Sequence, residues 1–412
     1  MRIGIDCRMF QSSFTGIGRY TFELVKHVAK LSQNQSTGQQ NEYVLFLNNP
    51  EYDAYTPPSG NIKKVLVDAP HYSLKEQTNL LKAINVEDLD LMHFTHFNAP
   101  IRYNKPFIVT IHDLTHTLFP GKKMTALPYR LAYKAVVRHA VKKAKKIIAV
   151  SKNTKNDIIK IHHIPSHKIE VIYEAVGEEY KILPPGSPPK TPTSGTTPRK
   201  SPENTPPPGN PPEGPLKTPH LRDNLQEQTT QKPPFLLYTG VHRYHKNLPR
   251  LIEAFAKISP DFPELKLIIT GKHDPLYPEA ENATAELGLQ EKVIFAGLVP
   301  EPELIALYNL ATAYVFPSLY EGFGLPVLEA MKCGTPVIAS NVSSIPEIAG
   351  PNNALFFDPE NTQDIADKIT QLITDPNLQT ELIEKGLQRV SQFSWEKMAK
   401  ETLNLYNELP RL

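Results

Sequence analysis

The stretch YEGFGLPVLEAMKCGTPVIAS, from Tyr320 to Ser340, joins two apolar segments through a glycine-rich turn. The residues before it include AYVFPS, which is predicted to form a strand, and TPVIAS is predicted to form the next one. Pro326 suits the first turn of a helix, where its missing N–H would have no partner, and Gly334 suits the residue that ends the helix. The stretch therefore predicts a strand–helix–strand unit with Glu321 in its turn.

The same alternation continues on both sides of this unit. After Pro234 the strand candidates are FLLYTG, KLIITG, KVIFAG, AYVFPS, TPVIAS and ALFFDP, and segments with helical periodicity separate them. In the first half the strand candidates are RIGID, YVLFL, KVLVDA, LMHFTH, FIVTIHD and KIIAVS. This pattern predicts an α/β protein with two Rossmann-like, doubly wound domains, whose ligands bind at the carboxyl ends of the strands. Two such domains would face each other across a cleft.

The composition changes between residues 183 and 234, where many of the chain's 40 prolines stand among polar residues. Proline removes backbone donors, and apolar residues are too few to form a core. We expect a flexible linker with some polyproline II character, and a ligand for a proline-recognition domain is the alternative. The predicted domains are therefore residues 1–182 and 235–392, with this linker between them and a C-terminal helix in 393–412.

Composition and charge exclude several classes of protein. The formal net charge of +2 is too small to indicate nucleic acid as the main partner. Cys7 and Cys333 are far apart, so neither a disulfide framework nor a cysteine-rich zinc site is indicated, and a reducing cytoplasm suits them. The start of the sequence, MRIGIDCRMF, is not a signal peptide, and no apolar run approaches the roughly 20 residues that cross a bilayer. We expect a cytoplasmic protein whose membrane contacts, if it makes any, are peripheral.

The glycine-rich turn carries groups that suit a sugar nucleotide. The amides of Phe323, Gly324 and Leu325 would lie at a helix N-terminus, which attracts anions. Glu321 in the turn and Glu329 one turn into the helix offer carboxylates for hydroxyl groups. The alternative is an ordinary helix start with acidic residues near its positive end, an effect of a few tenths of a kcal/mol.

A second loop at a predicted strand end carries the opposite charge. In YTGVHRYHKNLPRLIEAF, Arg243 and Lys246 follow a strand and immediately precede a helix. Two cations beside a glycine turn suit a pyrophosphate, whereas a solvated basic loop is the alternative interpretation. Because both loops follow strands of one domain, we expect them to meet at the same edge of its sheet.

These motifs resemble those of a known family. The segment EGFGLPVLEAMKCGTPVIAS is similar to the nucleotide-sugar signature of the retaining GT-B glycosyltransferases of family 4, and YTGVHRYHKNLPRLIEAFA resembles their pyrophosphate loop. The segments FTGIGRYTFELVKH, VTIHDL and VSKNTKNDIIK resemble the N-terminal half of that family, most closely its mannosyltransferase branch. The resemblance covers essentially the whole chain outside the proline-rich segment.

The resemblance assigns roles to the residues of the C-terminal half. Glu321 would contact hydroxyls of the donor sugar near the reacting carbon, and Glu329 would hold the ribose of the nucleotide. The amides of residues 323–325 would face the sugar and the phosphates. Arg243 and Lys246 would neutralise the diphosphate leaving group, so the family needs no metal ion and no cofactor beyond the donor.

The resemblance also assigns roles in the N-terminal half. Gly16 and Gly18 would form a close loop across the cleft from the nucleotide, and His112 would approach the sugar. The final helix would cross back onto the N-terminal domain and tie the two halves together.

The reaction that the resemblance implies is transfer of a hexose with retention of configuration. The first expectation is mannose from GDP-mannose, transferred to a glycan or a lipid-linked acceptor. A UDP-sugar-dependent glucosyl- or N-acetylglucosaminyltransferase is the alternative enzyme. A nucleotide-sugar-binding protein without turnover is the alternative from another class, and the presence of Glu321, Arg243, Lys246 and His112 argues against it.

Three other patterns carry less weight. GIGRYT fails the GxGxxG spacing of dinucleotide-binding proteins, because Thr21 stands where the last glycine would be. His93, His96, His112 and His116 match no zinc-binding spacing. DLD, at residues 88–90, precedes a predicted strand and is interpreted as a turn rather than a metal site.

A basic segment at residues 127–146 has two interpretations. Arg130, Lys134 and Arg138 recur at helical spacing, and Leu131 and Val137 are predicted to lie on an apolar side. A basic amphipathic helix binds anionic membrane surfaces. The solvated face of a core helix gives the same pattern, so the sequence leaves both interpretations open.

Overall fold

The computed structural model of the chain describes residues 1–10, 16–33, 41–122, 127–184 and 233–409. The predicted linker, residues 183–234, lies almost entirely outside these described residues. The described chain therefore consists of two halves, one on either side of that segment.

The described part of the first half contains a sheet of seven parallel strands in the order β3-β2-β1-β4-β5-β6-β7. The strands are β1 (Arg2–Asp6), β2 (Glu42–Leu47), β3 (Ile62–Leu66), β4 (Leu91–Phe94), β5 (Phe107–Ile111), β6 (Lys146–Ala149) and β7 (Ile169–Val171). The central strands β4 and β5 are buried along their whole length, because helices cover both faces of a parallel sheet.

The described part of the second half contains a sheet of six parallel strands in the order β10-β9-β8-β11-β12-β13. The strands are β8 (Phe235–Thr239), β9 (Lys266–Thr270), β10 (Val293–Gly297), β11 (Ala313–Phe316), β12 (Val337–Ser340) and β13 (Leu355–Phe357). In each sheet the strand order reverses beside the first strand, which is the feature that creates a ligand-binding crevice in doubly wound folds.

Helices lie between most of the strands. In the first half they are α1 (Gly16–Gln33), α2 (Glu51–Ala54), α3 (Leu81–Val86), α4 (Thr115–Leu118), α5 (Leu127–Lys143) and α6 (Lys152–His162). In the second half they are α7 (Leu248–Ile258), α8 (Glu279–Glu286), α9 (Glu301–Leu310), α10 (Leu325–Lys332), α11 (Ile345–Ala349), α12 (Thr362–Thr374), α13 (Pro376–Val390) and α14 (Trp395–Glu408). Short turns of π-helix (Glu76–Leu80) and 3₁₀-helix (Ser166–Lys168 and Tyr244–Lys246) complete the described helical structure.

The predicted fold class is confirmed: two parallel α/β sheets are present, as in GT-B proteins. Each strand candidate of the sequence corresponds to an observed strand, and the three-residue strand β7 was not predicted. The quoted turn behaves as predicted, because Pro326 lies in the first turn of α10 and Gly334 follows its end with φ of +74°.

The last helix, α14, packs on the first sheet rather than the second. Trp395, Met398 and Tyr406 are buried in one cluster with Ile3 and Ile5 of β1. The hydroxyl of Tyr406 also lies 2.6 Å from Nδ1 of the buried His93. The C-terminal end of the described chain is therefore anchored to the N-terminal half.

The basic helix differs from its prediction in two respects. α5 ends at Lys143, and Lys146 instead begins β6 and pairs with Glu170. Leu131 does not share a buried side with Val137, because Leu131 is 57% exposed whereas Val137 is fully buried. Among the described residues, no helix combines the length and apolar character needed to span a bilayer.

Candidate active site

The loops after β8, β9 and β10 pack tightly against one another. The amide of Gly240 donates to the carbonyl of Thr270 (3.0 Å), and the amide of Gly271 donates to that of Gly297 (2.8 Å). A Cβ atom on Gly271 would lie 1.9 Å from the carbonyl oxygen of Gly240, and its φ of +126° also requires glycine. These glycines therefore place the basic loop directly over the ends of the neighbouring strands.

The predicted cation and acid meet directly. Nζ of Lys246 lies 2.5 Å from Oε1 of Glu321, and the side chains are only 17% and 14% exposed. Nζ also lies 5.7 Å from the centre of the Phe316 ring, at the end of β11. The loop after β8 and the turn before α10 thus bring opposite charges together at one edge of the sheet.

A buried asparagine fixes the basic loop to its neighbours. Asn247 has φ of +59°, and its Nδ2 donates to the carbonyl oxygens of Pro317 (3.1 Å) and Pro359 (2.7 Å). The amide of Leu319 donates to the carbonyl of His245 at 2.8 Å. These bonds hold the loop after β8 and the loop after β11 as one unit.

Two serines hold the turn before α10. The hydroxyl of Ser343 donates to the carbonyl of Glu321 (2.6 Å), and that of Ser344 donates to the carbonyls of Glu321 (3.0 Å) and Phe323 (2.8 Å). Within the described residues, the amides of 323–325 donate no hydrogen bond. Gly324 has φ of +109°, which turns the chain into α10. The turn therefore presents free amides at a helix N-terminus, the arrangement that binds anions.

Glu329 has a different set of neighbours from Glu321. Its Oε2 accepts a hydrogen bond of 2.9 Å from the hydroxyl of Tyr308. Burial raises the pKa of Glu329 from 4.5 to about 7, while this hydrogen bond and the charge of Arg19 act in the opposite direction. The carboxyl is thus poised to change its charge near neutral pH, and it lies within electrostatic reach of α1.

Gly16 and Gly18 form the first turn of α1, so the expectation that they form a loop is wrong. Gly16 lies close to the other half, because a Cβ atom there would be in ordinary van der Waals contact, at 3.6 Å, with Cδ1 of Leu325. Leu325 is itself the first residue of α10. The N-termini of two helices from different sheets therefore meet, and both dipoles favour negative charge there.

His112 is buried with both ring nitrogens engaged. Nδ1 lies 2.8 Å from Oε1 of Glu174, and Nε2 lies 2.9 Å from the carbonyl oxygen of Thr95. Because a carbonyl oxygen only accepts, Nε2 donates to Thr95, and a proton on Nδ1 as well would make the ring an imidazolium paired with Glu174. Burial opposes this charge, but the hydrogen bond and the charge of Glu174 raise the pKa of His112.

The main-chain carbonyl of His112 contacts Gly322 in the second half. A Cβ atom on Gly322 would lie 1.8 Å from the carbonyl oxygen of His112. The carbonyl of Gly322 accepts hydrogen bonds from the hydroxyls of Ser151 (2.6 Å) and Thr154 (3.1 Å). The turn that carries Glu321 is therefore in direct contact with the strand ends of the first sheet.

Arg243 lies within electrostatic reach of residues in the first half. It is partly buried, and its backbone is extended where the 3₁₀ turn begins. Its positive charge lowers the pKa of His116 and opposes the raised pKa of Tyr72, although burial is the larger effect on both. Arg243 and Lys246 thus belong to the same loop but have different neighbours.

Glu347 makes a further contact between the halves. Its carboxylate accepts hydrogen bonds from the amides of Lys152 (2.7 Å) and Asn153 (3.0 Å), at the start of α6. The hydroxyl of Tyr173 donates to the same carboxylate at 2.9 Å. A residue of α11 in the second half therefore caps a helix of the first.

The sequence did not reveal several of these residues. Glu174 lies three residues after the end of β7, and the strand-end rule would have indicated it had this strand been recognised. Tyr308 and Glu347 lie within helical segments, where no local pattern indicates what they contact. Among the four histidines from His93 to His116, His93 bonds Tyr406 and Thr110, and the described residues place no metal-ligand group there.

This geometry defines a class of protein. The site lies between two parallel sheets and combines a helix N-terminus that has free amides with the ion pair of Lys246 and Glu321 at the strand ends. These groups suit a ligand in which an anionic group is joined to hydroxyl-bearing rings. This is the arrangement of a GT-B glycosyltransferase, in which a nucleotide sugar lies between the two halves.

Comparison with known families identifies the chain further. The model described as Glycosyl transferases group 1 matches residues 222–389, and the model described as Glycosyltransferase Family 4 matches residues 14–180. The chain belongs to glycosyltransferase family 4 and is a hexosyltransferase. Members of this family bind a nucleotide-sugar donor.

Curated relatives include several mannosyltransferases. The O-antigen chain mannosyltransferase B of Escherichia coli is 28% identical, over 99% of this chain and 100% of that protein. The O-antigen chain mannosyltransferase RfbU of Salmonella typhimurium is 28% identical, over 65% of this chain and 60% of that protein. The serotype-specific mannosyltransferase WbdA of E. coli is 29% identical over 65% of this chain, which covers 29% of WbdA.

Solved structures share the fold. Sucrose-phosphate synthase from Thermosynechococcus elongatus has a TM-score of 0.74 at 20% identity, covering 99% of this chain and 98% of that one. HepE from Anabaena, in complex with UDP and glucose, has a TM-score of 0.68 at 17% identity, covering 99% and 100% of the two chains. At these identities the likeness establishes the GT-B architecture alone.

Proposed function

We propose that this enzyme transfers mannose from GDP-mannose to a hydroxyl of a glycan or a lipid-linked saccharide, with retention of configuration. The pairing of Lys246 with Glu321 beside the free amides of α10 carries the proposal, since it supplies a cation, anion-binding donors and a hydroxyl-binding acid in one place. The names of the relatives from E. coli and S. typhimurium support mannose as the sugar.

The proposed contacts follow from charge. The diphosphate would lie between Lys246, Arg243 and the amides of residues 323–325, where the N-termini of α1 and α10 meet. Glu321 would exchange its bond to Lys246 for hydroxyls of the sugar. Glu329, held by Tyr308, would accept hydrogen bonds from the ribose. His112 would contribute its imidazolium charge and its main-chain carbonyl from the first half.

The chemical step would be front-face substitution. Breaking the bond between the sugar and the phosphate places positive charge on the ring and negative charge on the departing diphosphate. Fixed cations and amides stabilise that negative charge, and each such contact lowers the barrier by on the order of 3 kcal/mol. The acceptor hydroxyl would attack from the side on which the diphosphate leaves and give its proton to a phosphate oxygen. This route needs no covalent intermediate and no metal ion.

A UDP-sugar donor is the second candidate. The solved complex of HepE with UDP and glucose supports it, since that protein shares the whole fold. The groups that would contact the diphosphate and ribose would not discriminate between GDP- and UDP-sugars. The choice between guanine and uracil therefore depends on the residues around the base.

The acceptor and the location of the enzyme belong to the same proposal. α5 exposes Arg130, Lys134, Arg138 and Leu131. Such a face suits peripheral binding to the anionic inner leaflet of a membrane, where a lipid-linked acceptor would be presented to a cytoplasmic enzyme. Co-sedimentation with vesicles that contain anionic lipid tests this: binding should fall as salt rises and should be lost in K134E/R138E.

The donor is tested by thermal unfolding with GDP-mannose, UDP-glucose, UDP-N-acetylglucosamine and ADP-glucose. Only the true donor should raise the unfolding temperature at micromolar concentration, because binding to the folded state stabilises it by mass action. Slow hydrolysis of that donor, with the α-anomer of mannose released first, would establish turnover and retention. Stabilisation by a donor with no hydrolysis and no transfer to any acceptor would instead favour a binding protein.

A further inference from the structure

Three metal-ligating side chains converge outside the proposed nucleotide-sugar contacts. His242 follows β8, His273 follows β9, and Glu281 lies on α8. One potential ligand atom from each lies within 4.8 Å of the other two. Oε1 of Glu281 is 2.8 Å from Nδ1 of His273 and 3.3 Å from Nδ1 of His242. In the described part of the chain, this is the group with metal-binding geometry.

Two polar atoms of the group are buried without a partner. His242 is 3% exposed, and within the described structure neither its Nε2 nor Oε2 of Glu281 makes a hydrogen bond. Buried polar atoms are rarely left unpaired, because each costs on the order of 1 to 3 kcal/mol. The hydrogen bonds inside the group therefore leave two of its polar atoms unpaired, and an ion held by both oxygens of Glu281 would engage one of them, Oε2.

We propose that His242, His273 and Glu281 bind a divalent transition-metal ion, for which Zn²⁺ is the first candidate. Two imidazoles and a carboxylate are a frequent ligand set for Zn²⁺, whereas Mg²⁺ and Ca²⁺ prefer oxygen ligands. Ligand atoms around tetrahedral zinc lie roughly 3.3 Å apart. The 3.3 Å separation between Glu281 and His242 already matches this spacing, whereas the 2.8 Å separation between Glu281 and His273 must lengthen. The side chain of His273 is 49% exposed and has room to rotate.

The ion would fix a loop rather than take part in the transfer. His242 immediately precedes Arg243, in the loop whose Lys246 pairs with Glu321. His273 and Glu281 belong to the next strand end and to α8, so the ion would tie three separate segments together. It would thereby limit the motion of the loop that carries both proposed phosphate-binding cations. This role is independent of which sugar or base the enzyme accepts.

The test uses the full chain, stripped of metal with a chelator and titrated with Zn²⁺ alone. We expect one ion per chain by calorimetry and a rise in unfolding temperature of at least about 3 °C at saturating Zn²⁺. Mg²⁺ should give neither effect. Co²⁺ in place of Zn²⁺ should give the visible absorption of a tetrahedral site with nitrogen and oxygen ligands.

Matched variants separate this site from adventitious binding. His273→Ala should remove the Zn²⁺ effect without unfolding the protein, since the side chain is half exposed, and Glu281→Gln should weaken affinity about tenfold or more while keeping a hydrogen-bond acceptor. His167→Ala removes an exposed histidine elsewhere and should change nothing. Equal Zn²⁺ binding by His273→Ala and the unaltered chain, or no stoichiometric binding at all, would overturn the proposal.

Discussion

Nζ of Lys246 lies 2.5 Å from Oε1 of Glu321, although 75 residues separate them in the sequence. The two side chains come from loops after β8 and β11, which are adjacent strands. The pair is mostly shielded from solvent, so each charge depends on the other until a ligand provides new partners. A donor that places phosphate against Lys246 and hydroxyls against Glu321 would satisfy both groups.

Lys246→Ala should lower kcat by about 10² to 10³-fold, because it removes one fixed contact to the departing diphosphate. The protein should still fold, since Lys246 lies in a loop and does not belong to the hydrophobic core of its half. Steady-state kinetics with the donor, together with thermal unfolding, measures both effects. Lys257→Ala replaces an exposed lysine at the end of α7. It is the matched control and should change neither kcat nor the unfolding temperature. Unchanged turnover in a folded Lys246→Ala protein would remove the proposed leaving-group role.

Glu329→Gln should stabilise the protein above pH 7 while weakening donor binding. The pKa of Glu329 is about 7 in the fold and 4.5 in the unfolded chain. A raised carboxyl pKa means that stability is greatest below pH 4.5 and declines as pH rises through 7, where the buried group must ionise. Glutamine stays neutral and still accepts from Tyr308, so the gain at pH 8 should be on the order of 2 kcal/mol.

Chemical denaturation at pH 5 and pH 8 checks this prediction. The difference in the free energy of unfolding between Glu329→Gln and the unaltered protein should be small at pH 5 and large at pH 8. Donor titration at pH 8 should show weaker binding by Glu329→Gln, since glutamine is a poorer acceptor for two ribose hydroxyls. A variant that is equally or less stable at pH 8 would contradict the raised pKa.

Local sequence patterns predicted much of the fold because each strand candidate is a short apolar run between turn residues. They also placed Glu321, Lys246 and the free amides of α10 at strand ends, where the rule for doubly wound sheets brings loops together. β7 has only three residues with one fully buried, so it carries too little apolar pattern to be recognised.

The partners of the predicted residues depend on packing between distant segments. Glu174 is 62 residues from His112, and no local pattern connects them. Gly16 and Gly18 were expected to form a loop because the family resemblance implies one, whereas here they form the start of α1, with Gly16 close to Leu325. The His242–His273–Glu281 group was missed for the same reason as Glu174, since its members lie on three different segments.

Gly322→Ala should prevent the two halves from meeting as they do here. The added methyl group would lie 1.8 Å from the carbonyl oxygen of His112. Because this oxygen belongs to the main chain, it cannot move away as easily as a side chain could. We expect at least about a 10²-fold loss of turnover, with each half still folded. Small-angle scattering should show a larger radius of gyration with donor bound than the unaltered protein has. Gly60→Ala, where a Cβ atom has no neighbour within 4 Å, is the control, and equal activity of both variants would contradict the prediction.

Glu174→Gln should destabilise the protein in a pH-dependent manner. Burial lowers the pKa of His112, but the hydrogen bond and the charge of Glu174 raise it above its ordinary value. A raised histidine pKa contributes stability that is fully present below the unfolded value of about 6.5 and is lost as pH rises through the higher folded value. Removing the partner's charge leaves a buried cation unpaired, which typically costs about 3 kcal/mol or more.

The cost of Glu174→Gln should therefore be largest at pH 6 and should shrink as the pH rises through the raised pKa of His112, above which the ring is neutral in both proteins. Denaturant unfolding across this range measures it, and the titration of His112 by NMR should move to lower pH in the variant. Glu170→Gln, a nearby carboxylate that is exposed and paired with Lys146, should show a small effect with no such trend. A cost that does not change with pH would mean that Glu174 acts through packing and not through the charge on His112.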